Sequence, residues 1–344
     1  MREPGTAPPY RSKLFRSIRL SHSFAGVVTP GLWGHILTSL RSVDLHHVHL
    51  GRDLTSLPAA LLLSLLRRPF VVQPHGMVVR DDRLAVRILD RVATRRVLRA
   101  ASAVFALNAA EAAELIALGS APDRVRILPN GVELRDPGVV DVPAAVDVIF
   151  VGRLHPRKRV LSIVEAARLA RDQGDRIDRF SIVGPDEGDL AEMLSTIETH
   201  ELAGLVHYEG PMSSEAARAR IASSSVLVMP SAEEPFGMVA IEALAAGVPI
   251  VVDYRAGVLG FLTASRAVIP TDGSDPAAIR SAVLACLDEL PLRKAAAQEA
   301  IIASHLDIES IGRTLSETYS TIVSGHTSRA RPRRPNESGT TSPA

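Results

Sequence analysis

The stretch Ser231–Val252, SAEEPFGMVAIEALAAGVPIVV, decides the fold of this chain. It places Glu234 and Glu242 on either side of a bend, PFG, that opens an apolar helix, and a strand-like run, PIVV, follows. The start of a helix leaves backbone N–H groups unpaired and is the positive end of the helix dipole, so it can seat a diphosphate. At about 1.5 Å of rise per residue, Glu242 lies roughly 7–8 Å beyond Gly237, within reach of ribose hydroxyls. The alternative interpretation is a surface glutamate, a turn and a buried helix.

A second set of candidate residues follows the strand pattern Val148–Val151. Gly152 lets the chain leave the strand tightly, and Arg153 and Lys158 come shortly afterwards. The carboxyl ends of parallel strands are where open α/β sheets bind ligands, and two cations there can neutralise a diphosphate leaving group. A solvated basic loop is the alternative. A further strand end is expected at residues 208–211, and Tyr208 is a candidate to line one side of a nucleobase pocket.

Short apolar runs alternate with helical patterns through the whole chain, which is typical of parallel sheets covered on both faces. The sequence therefore predicts an α/β protein of two doubly wound domains, residues 1–140 and 146–325, with a disordered polar tail over 326–344. The break between the domains is expected in DPGVVDVPAA, residues 136–145, where Pro and Gly interrupt the pattern. The predicted strands are Val43–Leu50, Phe70–His75, Ser102–Asn108, Val125–Leu128, Val146–Val151, Phe180–Val183, Val226–Met229, Pro249–Val252 and Ala267–Ile269.

The charges are distributed unevenly over the 344 residues. Residues 1–145 carry 19 Lys and Arg against 12 Asp and Glu, whereas the remainder carries 20 against 26. The basic first part favours an anionic partner, either a membrane surface or a phosphorylated acceptor. Few aromatic residues accompany the arginines, so a nucleic-acid partner is not expected. One helical pattern repeats arginine every fourth residue, which is either a solvated stripe or a docking face for anionic lipid; these residues are Arg83, Arg87, Arg91, Arg95 and Arg99.

The sequence predicts a cytoplasmic protein, with the inner face of the membrane as a further possibility. The first twenty residues are basic and interrupted by polar residues, unlike a secretory signal. The longest apolar run, Leu57–Leu66, is half as long as a bilayer crossing requires. The single cysteine, Cys286, lies in an apolar helical pattern and is interpreted as a core thiol.

Histidines mark the front half of the chain. His75 follows a buried strand directly, at its carboxyl end, so it is expected to face a cleft; a satisfied structural histidine is the alternative. His46, His47 and His49 share one strand, but no cysteine or carboxylate accompanies them at metal-ligand spacing, so we interpret them as structural. The sequence also has no Asp-x-Asp pair to hold Mg²⁺ on a nucleotide diphosphate, and no metal or cofactor is expected.

The motifs together resemble those of a known family, the GT-B retaining glycosyltransferases of family 4 type (glycosyl transferases group 1). The resemblance runs from about residue 40 to 320. It rests on PNGV at 129–132, GRL at 152–154 with Lys158, PS at 230–231, EPFG at 234–237, EA at 242–243 and AAGVP at 245–249, and on PHGM at 74–77. It implies two Rossmann-like domains facing a central cleft.

The resemblance also implies the roles of the site residues. A nucleoside-diphosphate sugar is the donor, and its sugar is transferred to a glycan, lipid-linked or small-molecule acceptor without a metal and with retained configuration. In that scheme Glu234 contacts the sugar and His75 lies near the reacting centre. The remaining donor-binding residues are Arg153, Lys158, Ser231, Phe236, Gly237, Met238, Glu242 and Tyr208.

One departure from the family pattern concerns the start of the chain. Family members usually open with a strand that ends in a Gly-Gly-type loop, and no such loop is present here, so the first domain is expected to be shortened. A catalytically impaired nucleotide-sugar-binding or partner protein is therefore the alternative function. An epimerase or phosphorylase of the same fold is a third possibility, which the intact EPFG and GRL motifs oppose.

Overall fold

The computed structural model describes residues 12–21, 24–134, 145–262 and 265–330. The chain divides into two compact units. The first comprises Met1–Ala106, Ala113–Arg126 and Ser316–Ala344, and the second Leu107–Ala112 and Ile127–Leu315. The break predicted at 136–145 lies outside the described residues except for residue 145. The last helix extends past residue 326, where the sequence predicted the tail to begin, and residues 331–344 are not described.

The first unit is built on a four-stranded sheet in the order β3-β4-β5-β6, with parallel pairing of β3 to β4 and of β4 to β5. A separate antiparallel pair joins β1 and β2. The elements up to residue 127 are β1 Ile18–Arg19, β2 Val27–Val28, α1 Pro30–Ser39, β3 His46–His49, α2 Ser56–Leu65, β4 Phe70–Gln73, α3 Leu84–Leu89, α4 Arg95–Ala100, β5 Ala103–Ala106, α5 Ala109–Ala117 and β6 Val125–Ile127.

The arginine-rich helix is interrupted. One π-helical segment, Asp90–Thr94, joins α3 to α4. Asp90 is buried and accepts two hydrogen bonds from the Arg52 guanidinium, at 2.8 and 2.9 Å, which fixes this segment from inside. All five arginines of the predicted stripe are exposed, as the sequence indicated.

The second unit contains a six-stranded parallel sheet in the order β12-β11-β10-β7-β8-β9. Its strands are near-continuous apolar runs because helices cover both faces. The elements are β7 Asp147–Val151, α6 Val160–Asp172, β8 Arg179–Val183, α7 Leu190–Thr199, β9 Val206–Gly210, α8 Ser214–Ala222, β10 Val226–Met229, α9 Met238–Ala245, β11 Ile250–Asp253, α10 Leu259–Leu262, β12 Val268–Thr271, α11 Pro276–Asp288, α12 Leu290–Ala303 and α13 Ile308–Ala330. The residues of α13 from Ser316 onward belong to the first unit.

The strand order locates the place where this sheet can bind a ligand. The chain runs outward in one direction from β7 through β8 to β9, and then returns to start β10 on the other side of β7. Open α/β sheets bind ligands outside the carboxyl ends of the strands at such a reversal. Every predicted strand of this unit is present, and β9, of which the sequence indicated only the end near Tyr208, is an additional strand. Among the described residues, no helix combines the length and apolar character needed to cross a bilayer.

Candidate functional site

Two loops leave the sheet at the reversal, residues 152–159 after β7 and residues 230–237 after β10, and they are joined by hydrogen bonds. The amide of Ala232 donates to the Arg157 carbonyl at 2.7 Å. The guanidinium of Arg157 donates to the Glu233 carbonyl at 2.9 Å, and that of Arg159 to the Pro230 carbonyl at 3.3 Å. The loops therefore form one structural unit at the carboxyl edge of the sheet.

The loop after β7 also packs closely against the loop after β8. A Cβ atom on Gly184 would lie 1.8 Å from the Gly152 carbonyl oxygen, and Gly184 has φ of +149°, so only glycine fits there. The Gly152 amide donates to the Val183 carbonyl at 2.9 Å. The hydroxyl of Tyr208 donates to the Gly184 carbonyl at 2.9 Å, which places this predicted base-contacting residue behind the same loop.

Lys158 and Glu234 form an ion pair across the two loops, with 2.5 Å between Nζ and Oε2. Lys158 ends a 3-10 turn, Pro156–Lys158, whose first amide is capped by the His155 ring, since Nδ1 accepts from the Arg157 N–H at 3.1 Å. Both charged side chains are largely buried, with 25% and 15% exposed. The sequence assigned them to the diphosphate and to the sugar, and the structure brings them into direct contact.

The helix α9 begins next to this ion pair. Its N-cap, Gly237, has φ of +100°, a conformation that favours glycine, and no side chain caps the helix. In the described structure the amides of Met238 and Val239 donate to no backbone acceptor. The preceding turn is held from behind, because the Pro235 carbonyl accepts from Asn108 Nδ2 at 2.6 Å. The start of α9 thus leaves amide donors unused, which is the arrangement that helix N-termini offer to anions.

Two further predicted residues have polar side chains without a hydrogen-bond partner among the described residues. Ser231, at the end of β10, is 2% exposed, and its hydroxyl has no hydrogen-bond partner within the described ranges. Glu242, on the second turn of α9, is half-buried and its carboxylate likewise accepts no hydrogen bond from a described residue. Burial raises the pKa of Glu242, and the charge of Arg218 opposes this only in part. Buried polar groups without partners are costly unless a ligand or water satisfies them.

Other predicted residues have different surroundings. Arg153 is 60% exposed and pairs with Glu187 at 2.7 Å, a partner that the sequence did not indicate. Phe236 is buried and packs edge-on against Phe261 with 6.0 Å between ring centroids, so only its backbone can face a ligand. Met238 is 38% exposed at the first position of α9.

The sequence missed the carboxylate that organises this edge. Asp253, the last residue of β11, is fully buried and accepts from Arg159 Nη1 at 2.9 Å and from Arg255 Nε and Nη2 at 2.9 Å each. The amides of Arg255 and Gly273 also donate to it. Burial alone would raise the pKa of Asp253, but these hydrogen bonds outweigh it and lower the pKa. The available signal was an acidic residue directly after the apolar run PIVV.

In the first unit, His75 lies in a row of stacked histidine rings. Its Nε2 is 2.6 Å from His49 Nδ1, so one ring donates the shared proton, and the two rings stack at 4.9 Å. His49 stacks in turn on His47 at 4.8 Å, and His47 Nδ1 is 2.5 Å from the Tyr319 hydroxyl. Burial, reinforced by the neighbouring histidine charges, lowers the pKa of His47 to about 4.

The row of rings fixes His75 at the carboxyl end of β4, where its backbone has φ of +54°. Such packing is expected of a structural histidine. It would also hold a functional ring in one orientation, so it is compatible with both interpretations of His75. In the described part of the chain no group of three or more His, Cys, Asp or Glu side chains could hold a metal ion.

Comparison with known proteins identifies both halves of the chain. Residues 3–131 match the family model of the "Glycosyl transferase 4-like domain", and residues 145–289 match that of "Glycosyl transferases group 1". The chain belongs to these glycosyltransferases, and the predicted fold class, GT-B with two Rossmann-like domains, is confirmed.

Individual relatives agree with this assignment. The chain is 30% identical over 213 residues to a D-inositol 3-phosphate glycosyltransferase of Pseudarthrobacter chlorophenolicus, covering 58% of the chain and 50% of the relative. It is 30% identical over 247 residues to the protein of the same name from Paenarthrobacter aurescens, covering 67% and 60%. The chain thus spans only half to three fifths of these curated relatives.

One solved structure resembles this chain over a larger share of both chains than the curated relatives do. The crystal structure of Anabaena Alr3699/HepE in complex with UDP has a TM-score of 0.70 and 21% identity, covering 85% of this chain and 82% of that one. At this identity the likeness establishes the fold alone.

Proposed function

We propose that this protein is a glycosyltransferase that moves a sugar from a nucleoside-diphosphate sugar to an acceptor hydroxyl. One observation carries the proposal. At the strand reversal of the second unit, an uncapped helix start lies beside a lysine–glutamate pair and an unpartnered buried serine hydroxyl. Unused amide donors and a cation suit a diphosphate, and a carboxylate suits a sugar. The HepE structure, solved with UDP on the same fold, supports the same ligand class.

The donor diphosphate is assigned to the amides of Gly237, Met238 and Val239 together with Lys158. Arg153 would add a second cation after release from Glu187. Glu242 would accept hydrogen bonds from the ribose hydroxyls, which replaces the missing partners of a half-buried carboxylate. Tyr208 stays assigned to the nucleobase side of the pocket.

The proposed reaction retains the configuration of the transferred sugar. The acceptor oxygen forms a bond to the anomeric carbon on the face from which the diphosphate leaves, the bond from that carbon to the diphosphate oxygen breaks, and the acceptor proton moves to the leaving phosphate. No covalent glycosyl–enzyme forms in this scheme. Glu234 then acts as an electrostatic and positioning group, already held by Lys158 at 2.5 Å, and His75 is assigned to the reacting sugar.

The leaving diphosphate is proposed to be stabilised without a metal ion. The charge that develops on it would be balanced by Lys158 and the helix start, which are pre-positioned before the ligand arrives. Donor binding and transfer are accordingly expected to be insensitive to EDTA. A requirement for Mg²⁺ or Mn²⁺ would contradict this part of the proposal.

The acceptor is proposed to be a hydroxyl of a glycan, a lipid-linked molecule or a small molecule. The names of the curated relatives make D-inositol 3-phosphate the first acceptor to test.

Contact with an anionic membrane is proposed through the helix α3 and the segment that follows it. There Leu84, Ile88 and Val92 are 71%, 56% and 68% exposed at helical spacing, and each directly follows an exposed arginine.

The test is a thermal-shift panel of UDP-, GDP- and ADP-sugars, followed by product analysis with the donor that binds. We expect one donor to raise the melting temperature, and NMR of the product to show the donor's anomeric configuration. Binding without transfer to any acceptor would favour the alternative, a nucleotide-sugar-binding or partner protein. If no nucleotide sugar binds, the proposal is wrong.

A further inference from the structure

A cavity in the first unit, away from the proposed donor site, is lined by cations. Its volume is about 490 Å³. It opens at the amino ends of β4 and β5, where Phe70 and Ser102 line it, and the helix α13 forms the opposite wall. His75 follows the other end of β4, about 13 Å away for a four-residue strand. The cavity therefore lies on the opposite edge of this sheet from His75.

Four of the lining side chains are basic: Arg67, Arg68, Arg124 and His326. The lining includes no acidic residue, and within the described residues none of the four forms an ion pair. Elsewhere in the same unit, arginines close to carboxylates do pair with them, as Arg52 does with Asp90. Several guanidinium groups around one cavity without a counter-charge repel each other, and an anion would relieve that repulsion.

The backbone holds these arginines in place. At the end of α2, the Arg67 amide donates to the Ser64 carbonyl at 3.2 Å and the Arg68 amide to the Leu63 carbonyl at 3.0 Å. The Arg124 guanidinium donates to the carbonyls of Arg99 and Ala101, which terminates α4 next to the cavity. The cations are therefore attached to rigid ends of secondary structure.

Arg68 supplies a more specific signal. One of its terminal nitrogens, Nη2, donates to the Val43 carbonyl at 3.0 Å, but its Nε is buried and has no hydrogen-bond partner in the described chain. A buried N–H of a charged group without an acceptor is costly. Phosphate groups carry the oxygens that guanidinium groups bind best.

We propose that this cavity is a second anion site, which binds a phosphorylated small molecule or a phosphorylated head group independently of the sugar donor. The site extends onto α13 through Thr321 and His326, which belong to the same unit as the arginines. The inference does not rest on the proposed reaction, because none of its residues belongs to the donor site.

The first experiment uses the full chain and inorganic pyrophosphate at constant ionic strength. Hydrogen-exchange mass spectrometry should show slower exchange in residues 64–70 and 321–326. Protection confined to residues 152–160 and 230–240 would mean that pyrophosphate binds only the donor site, and equal protection by sodium chloride would mean simple screening. Either result would overturn the inference. Vesicles that contain phosphatidic acid form a second arm, and protection by vesicles alone would identify a lipid head group as the source of the phosphate.

The second experiment compares variants by calorimetry with pyrophosphate. Arg67→Gln and Arg124→Gln should each weaken binding at this site about tenfold, the usual loss for one charge-assisted hydrogen bond. The matched controls are Arg41→Gln and Arg96→Gln, tested singly, each of which removes one exposed charge of the same unit that does not line the cavity. If the controls weaken binding equally, the effect is net charge and the assignment fails. Arg124→Gln could unfold the end of α4, because Arg124 donates to the carbonyls there. Arg67 is exposed, so Arg67→Gln tests the site with the fold unchanged.

Discussion

Two carboxylates on neighbouring elements of the second unit have opposite surroundings. Asp253, at the end of β11, is fully buried and receives hydrogen bonds from two arginines and two backbone amides. Glu242, on α9, is half-buried and receives none from the described residues. The pKa is lowered in the first and raised in the second, although burial acts in the same direction on both.

The difference in hydrogen bonding distinguishes a carboxylate that stabilises the structure from one that is available to a ligand. A buried carboxylate with every lone pair satisfied stabilises the loops around it and has nothing left for a ligand. A carboxylate that is partly desolvated without partners costs stability in the free protein, and natural proteins keep such groups mainly where they serve function. On this basis we propose that Asp253 shapes the carboxyl edge of the sheet, and that Glu242, Ser231 and the start of α9 bind the donor.

The largest effect is expected for Asp253→Ala, which leaves Arg159 and Arg255 facing a buried gap. Removing one partner of a buried, hydrogen-bonded ion pair typically costs about 3–5 kcal/mol. Urea denaturation should show that loss. The control is Asp272→Ala, a carboxylate that lies 3.9 Å from Arg255 and, within the described chain, accepts hydrogen bonds only from Ser274, and its loss should lower stability much less. Similar losses in both variants would contradict the organising role of Asp253.

The next effect concerns donor affinity in Lys158→Gln. Loss of one charge-assisted hydrogen bond to a diphosphate should weaken binding by about 10- to 100-fold. Calorimetry with the donor found by thermal shift measures it. Arg176→Gln is the matched control, because Arg176 is exposed at the amino edge of the same sheet and removes the same charge. Unchanged affinity in Lys158→Gln would remove Lys158 from the donor site.

Glu242→Gln should weaken donor binding about tenfold through the lost ribose hydrogen bonds, whereas Glu198→Gln on the exposed face of α7 should not. Its effect on stability depends on pH. Because the pKa of Glu242 is raised in the folded state above its ordinary 4.5, the folded protein holds this proton more tightly than the unfolded chain does. The stability that this gives is present below pH 4.5 and is lost as the pH rises through the folded pKa.

Wild-type protein should therefore lose stability relative to Glu242→Gln as the pH rises above 4.5, as denaturant titrations at several pH values would show. The opposite slope would mean that the carboxylate has a partner that stabilises its charge, and the contrast with Asp253 would fail.

The smallest effect is expected for Ser231→Ala. Removing an unsatisfied buried hydroxyl should leave stability unchanged or raise it by about 1 kcal/mol, and donor binding should weaken only a few-fold. Thermal unfolding and calorimetry on the same sample measure both. Ser281→Ala, which removes an exposed hydroxyl bonded to the Ala277 carbonyl, serves as the control. A clear loss of stability in Ser231→Ala would show that this hydroxyl is already satisfied in the free protein.

Much of the fold could be predicted from sequence because its signals are local. Apolar strands such as Val226–Met229 and the helix start at Gly237 depend on neighbours within a few residues. The π-helical segment at Asp90–Thr94 could not be predicted this way, since it depends on a contact with Arg52. Of the strand β9 the sequence indicated only the end near Tyr208, because most of its residues are half-buried.

By itself, the sequence determined the two α/β halves, the family and the residues that face the carboxyl edge of the second sheet, because strand periodicity and glycine positions are written in consecutive residues. Only the tertiary structure decided which charges meet. Lys158 and Glu234 are 76 residues apart, and Arg159 and Asp253 are 94 apart. Such pairs form where parallel strands distant in sequence end side by side, and the free energy of each depends on burial that no short segment specifies.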